Sequence, residues 1–270
     1  MTLVEICVDD VAGARAAEEA GADRVELCAD LLEGGITPSI GMLERTLAAV
    51  TRVGVQVLVR PRGGDFRYDA DEVAVMRADI RAARTLGAGA TVPVGFVLSG
   101  LTTDGRVDRA VLAALLAECG DAPTTFSRAF DDVADRRAAL DELAALGVHR
   151  VLTSGGAATA SAGAAELRAL ATDGRVIVLA AGSVRSGTVG DLLTRTGVPE
   201  VHLRAPGPPA AGSARPRRRS LPSSPPSGPI GTRGDRRADR RRARSRPGLV
   251  TPGPGRGARV SGWCRWPGCR

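Results

Sequence analysis

Eight short apolar runs, separated by stretches of helical period, organise the first 205 residues of this 270-residue chain. They fall at Leu3–Val8, Arg24–Ala29, Val55–Pro61, Gly95–Leu101, Thr124–Phe130, Arg150–Gly155, Val176–Gly182 and Glu200–Ala205. Their length and β-branched content mark buried strands. Between them, Ala-, Leu- and Arg-rich segments such as Asp71–Leu86, Asp108–Glu118 and Asp132–Leu146 carry helical spacing, several opened by an Asp or Ser suited to capping. Two similar junctions, Glu19–Val25 and Ala145–Val151, each end a helix on glycine and open the next strand. Strict alternation of this kind calls for parallel strands joined by crossover helices. Eight such strands predict an α/β chain closed into a (β/α)8 TIM-type barrel rather than a doubly wound open sheet.

Charge divides the chain in two. Residues 1–205 carry 21 Arg against 28 Asp and Glu, a net charge of −7, whereas residues 206–270 carry 16 Arg against two Asp, a net charge of +14. Of the 17 prolines, 12 lie in the second part. Residues 1–205 therefore read as an acidic barrel and 206–270 as an Arg/Pro-rich disordered tail, with no amphipathic eighth helix between them. Lysine and asparagine are absent throughout, which indicates a coding sequence poor in A and T. A reading-frame slip in such a sequence would produce the Arg, Pro, Gly, Ala and Ser of this tail. The alternative is a basic arm that contacts nucleic acid non-specifically. No apolar stretch reaches the length of a membrane helix, and Cys7, Cys28 and Cys119 form no C-x-x-C pair, so a cytoplasmic, reducing setting is expected.

In a barrel, chemistry gathers where the strands end at their carboxyl termini. From Val55 to Tyr68 the chain reads V-Q-V-L-V-R-P-R-G-G-D-F-R-Y, a strand that delivers Arg60 and Arg62 to that rim beside two glycines able to turn tightly around an anion. Strand parity places Glu5 with Cys7, and Glu26 with Cys28, facing inward. Buried carboxylates need partners, so Glu5 and Glu26 either pair with arginines such as Arg60 in a structural network or serve a ligand or a reaction. Cys7 and Cys28 come at similar heights on neighbouring strands, where two thiolates suit a soft ion such as Cu(I); packing is the alternative use. The only histidines, His149 and His202, stand before one strand and within another, so a zinc site is not expected. At the exit of the fifth strand, Arg128 is placed to bind a carboxylate or phosphate. Asp131 is placed to orient that group, to act as a base, or simply to pair locally. Small-residue loops at Thr153–Gly156 and Ala181–Arg185 add Ser154 and Arg185 as anion-binding candidates.

Several stretches, in order, resemble the CutC family, named for copper homeostasis. They include Glu5-Ile6-Cys7, Gly21–Cys28, Glu33–Ser39, Val59–Tyr68, Asp104–Asp108, Arg128–Asp131, Arg150–Gly155 and Glu200–His202. The resemblance implies a cytoplasmic TIM-type barrel that forms homo-oligomers and takes part in copper homeostasis. It strengthens Cys7 and Cys28 as Cu(I) ligands, with the copper ion as partner. Two departures stand out: Ser127 occupies the place of a histidine before R-A-F-D, and the family's small exit around Leu203 and Arg204 is missing. The alternative function is a TIM-barrel enzyme of unknown reaction acting on a small anionic metabolite. It would use Glu5, Glu26 and Asp131 as catalytic groups and the rim arginines as anchors.

Overall fold

The computed structural model describes residues 2–204. They form eight parallel strands in the order β1 to β8, closed by pairing of β1 with β8. The strands are β1 (Leu3–Val8), β2 (Arg24–Leu27), β3 (Gly54–Leu58), β4 (Val94–Leu98), β5 (Thr124–Phe126), β6 (Arg150–Thr153), β7 (Ile177–Ala180) and β8 (Glu200–Arg204). The helices between them are α1 (Val11–Glu19), α2 (Ile40–Leu47), α3 (Ala70–Gly87), α4 (Arg109–Cys119), α5 (Arg136–Ala145), α6 (Ala164–Asp173) and α7 (Ser186–Thr196). The Arg/Pro-rich segment, with the questions of its origin and of an eighth helix, lies outside the described residues. Among the described residues, no helix is long and apolar enough to cross a membrane.

Strand starts fall within a residue of where the sequence puts them, but most strands stop earlier. The apolar and small residues that follow the last ladder bond instead turn over the barrel mouth. Ala29 bridges to Ile36, Leu101 bridges to Val107, and Arg128–Asp132 winds into a 3-10 turn in place of the end of the fifth strand. Helix starts are set by caps. The carboxylate of Asp69 accepts from the N–H of Glu72, and the Glu72 side chain answers to the N–H of Asp69. Asp108 caps α4. Asp135 caps α5, which begins four residues later than expected because Asp132 is held in the preceding turn.

The main core lies between sheet and helices. Val25, Leu27, Val55, Phe96 and Val151 point outward from the strands and are fully buried against helix residues such as Leu112, Leu143 and Leu167. The inside of the barrel is divided differently. Two small apolar patches, one of Cys7, Cys28, Leu58 and Val97 and one of Leu152, Leu179 and Ala181, share it with charged side chains. Gly95 makes room for one of the polar ones, since a Cβ there would lie 2.4 Å from the Gln56 side chain. At the floor, Arg24 Nε donates to Glu5 Oε2 at 2.9 Å and the same guanidinium pairs with Glu200, which Arg150 Nε also reaches at 3.0 Å.

Two stability tests arise from this frame. Arg24→Met leaves Glu5 and Glu200 buried without their shared cation and is expected to cost about 3–5 kcal/mol in chemical denaturation; a loss below 1 kcal/mol would show the network to be dispensable. At the surface, Glu18 ties the end of α1 to the loop before β3, accepting from the N–H groups of Val53, Arg52 and Thr51 at 2.9, 2.8 and 3.0 Å. Those bonds, that from Val53 foremost, bring its pKa down to about 2. Because the folded value lies below the unfolded one of about 4.3, the stabilisation is complete above pH 4.3 and disappears as pH falls towards 2. Glu18→Gln should therefore be less stable than wild type at pH 7, with the gap closing in acid; a gap independent of pH would contradict the assignment.

Candidate functional site

Closure of the barrel places Glu5 of β1 beside His202 of β8, while the β1–β2 register sets Cys7 beside Glu26. Inward parity on all three strands then gathers Glu5, Cys7, Glu26, Cys28 and His202. His202 Nδ1 lies 2.9 Å from Glu5 Oε1, and its Nε2 lies 3.6 Å from Glu26 Oε2. The two sulfurs, Cys7 Sγ and Cys28 Sγ, are 3.6 Å apart, and Cys28 Sγ also donates to the carbonyl of Val8 at 3.4 Å. Donor atoms of Cys7, Glu26 and His202 all lie within 4.8 Å of one another. Together with Cys28 they form one wall of a cavity of about 320 Å³ at the barrel mouth.

Burial and pairing oppose each other across this wall. Burial would raise the pKa of Glu5, but the hydrogen bond and charge of His202, with Arg24 behind, outweigh it and keep the carboxyl below its usual range. Burial pushes Glu26 up, and the pull of His202 only partly offsets it. For His202 burial acts to lower the pKa, yet hydrogen bonds with Cys7 and Glu5 and the charges of both carboxylates raise it well above 6.5. The Cys7 thiol is raised by its hydrogen bond with Cys28, by burial and by Glu26. Cys7, Glu26 and His202 thus hold their protons more tightly than usual, Glu5 less so, and an ion bound by Cys7 and His202 would have to displace theirs. Glu5 fixes the imidazole through Nδ1 and turns Nε2 towards the other donors, which is how carboxylates orient metal-binding histidines.

The other sequence candidates divide. Arg60 does not pair with Glu5 or Glu26 as anticipated; Glu5 is taken by Arg24 and His202. Its guanidinium instead donates to the carbonyls of Glu33, Gly35 and Gly64 at 3.2, 3.0 and 2.6 Å and lies over the Phe66 ring. Arg60, Arg128 and Arg185 line the cavity. Arg62 does not, because Glu72 and Asp65 hold it. Asp131 and Ser154 also lie off the cavity lining. The Asp131 carboxylate is occupied by Arg128 Nε at 2.9 Å, Thr153 Oγ1 at 2.6 Å and the N–H groups of Ser154 and Gly156 at 3.0 Å, so it clamps the turn after β6. Ser127 faces the cavity and accepts from the Ala129 N–H, starting the 3-10 turn. Sequence reasoning passed over His202 as a ligand and Arg24 as a partner. The signal was available: in E-V-H-L-R the residues Glu200, His202 and Arg204 alternate with apolar ones, the same inward parity that singled out Glu5 and Cys7.

Comparison with known proteins agrees with this geometry. The profile of the CutC family matches residues 2–207. The human "Copper homeostasis protein cutC homolog" is 43% identical over 205 residues, covering 75% of this chain and 73% of its own. A CutC family protein of Sinorhizobium medicae is 44% identical over 202 residues, covering 74% and 80%. Among solved structures, a Streptococcus agalactiae chain assigned as copper homeostasis protein CutC superposes with a TM-score of 0.70 at 30% identity, covering 75% of this chain and 98% of that one. With the profile spanning the whole barrel, the chain belongs to the CutC family.

Proposed function

We propose that this protein serves copper homeostasis by binding Cu(I) between the thiolates of Cys7 and Cys28, with His202 Nε2 as third donor. The observation that carries the reading is the sulfur pair, 3.6 Å apart at the edge of an open cavity. A first-row ion sits about 2.3 Å from a thiolate sulfur, so two sulfurs on one ion stand at most about 4.6 Å apart. At 3.6 Å the two sulfurs lie within that span, and His202, whose donor groups with Cys7 and Glu26 rather than with Cys28, would swing towards the ion to complete the set. Two thiolates and an imidazole are soft to borderline donors, which favour Cu(I) over hard cations. A cytoplasmic setting suits such a pair, since an oxidising one would favour loss of both thiols to a disulfide.

Anaerobic titration of the protein with Cu(I) against a competing chelator tests the site. Wild type should take up one equivalent, Cys28→Ser should lose tight binding, and unchanged binding by that variant would remove the site from consideration. Glu5→Gln keeps every proposed ligand but loosens the imidazole, and should weaken Cu(I) binding about 10–100-fold. Equal affinity for wild type and Glu5→Gln would mean that His202 does not hold the ion.

A further inference from the structure

We propose that the same cavity contains a second subsite, on its arginine wall, for a small molecule carrying two or more negative charges as carboxylate or phosphate. Size is the first argument. A cavity of about 320 Å³ is roughly ten times the share of one water, about 30 Å³, and falls within the range of small-molecule sites, so an ion alone leaves most of it unused.

Charge is the second. The cavity lining includes Arg60, Arg128, Arg185 and, on the β8 side, Arg204, but only one carboxylate, that of Glu26, which already faces His202. Among the described residues no carboxylate pairs with Arg60 or Arg185; Arg128 has Asp131. Arg60 is the clearest case. It is only 7% exposed, its Nε is buried without a partner, and three main-chain carbonyls from two loops hold its guanidinium in place. Neutral carbonyls orient a cation without cancelling its charge, and a buried cation without a counter-ion is costly. Its position is fixed in advance while its counter-ion is missing, which is the arrangement of an anion-binding group.

The third argument is the loop Gly182–Arg185, which crosses the cavity mouth and leads into α7, a helix of 11 residues. Ser183 is held at φ 55°, a left-handed conformation that a non-glycine residue adopts at a cost, and Ser183 lines the cavity. Arg185 stands at the N-cap position, where it offers no acceptor for the first N–H groups of α7. The start of α7, left without a side-chain acceptor by its N-cap, therefore follows directly on the cavity-lining Arg185 and adds positive potential near it.

Calorimetric titration of the full-length protein, freed of metal by chelation and held at constant ionic strength, tests the subsite with citrate, inorganic phosphate and sodium chloride as probes. Citrate or phosphate should bind saturably at one site per chain, chloride should not, and the stronger of the two names the anionic group. Arg185→Gln at the rim should weaken that binding at least tenfold, as should Arg60→Gln if its melting curve shows it folded. Arg62→Gln, on the same loop as Arg60 but held outside the cavity by Glu72, should bind as wild type does. The proposal falls if neither anion saturates, or if Arg185→Gln binds like wild type. Because no copper is present, the outcome is independent of whether the thiols hold Cu(I).

Discussion

The pairing of Arg24 with Glu5 and Glu200 is the contact on which the inside of this barrel depends. A parallel barrel normally fills its interior with branched apolar side chains in layers. Here a chain of alternating sign, Arg150–Glu200–Arg24–Glu5–His202–Glu26, takes their place from the floor upward. Each carboxylate in it is 5% exposed or less, so none could be tolerated alone. An apolar floor of equal volume could be as stable, or more so. It would not, however, hold the imidazole of His202 at a fixed angle to Cys7. The network's contribution is position: Arg24 holds Glu5, Glu5 holds the ring, and the ring turns Nε2 towards Glu26 and Cys7.

How far the sequence could be read follows from the same layering. Strand count, order and inward parity were legible because apolar runs of period two leave a strong local signal, and parity correctly grouped Glu5 with Cys7 and Glu26 with Cys28. What it could not supply was partnership. Arg60 looked the natural counter-ion for those carboxylates because it ends a neighbouring strand, but its own loop carbonyls claim it. Arg24, the first residue of β2, has no partner legible from sequence. Its reach to Glu200 spans 176 positions of sequence and exists only once the sheet has closed. Strand ends were overrun for a related reason: residues such as Ala129 and Phe130 are buried by turning across the mouth rather than by extending the ladder.

The turn after β6 shows how a residue that looks catalytic can be structural. Asp131 accepts from groups of four residues, Arg128, Thr153, Ser154 and Gly156, and behind it the chain packs so closely that a Cβ on Gly163 would lie 1.9 Å from the Ser154 carbonyl. A carboxylate saturated in this way is poorly placed to take a proton from a ligand. Its effect on the cavity is indirect, through Arg128, whose Nε it fixes at the rim. Ser127 has a similar part, spending its hydroxyl on the Ala129 N–H where the family's sequences suggested an imidazole. The imidazole of this cavity comes instead from β8.

That origin divides the cavity by sequence separation as well as by chemistry. The soft wall is built from β1, β2 and β8, and its central contact, Glu5 to His202, joins residues 197 apart. Arg60, Arg128 and Arg185 come from the ends of β3, β5 and β7, with Arg204 of β8 also in the lining, and Arg60 is secured by loops no more than 27 residues away. Contacts of such different sequence separation carry different closure costs. The arginine of β3 can be set by local turns, whereas the thiols gain their imidazole only when the last strand docks on the first. Displacing β8 would take His202 from Cys7 and strip Glu5 of a partner, whereas the carbonyls that hold Arg60 belong to other parts of the chain. The contacts of the thiol wall, unlike those that hold Arg60, therefore depend on barrel closure.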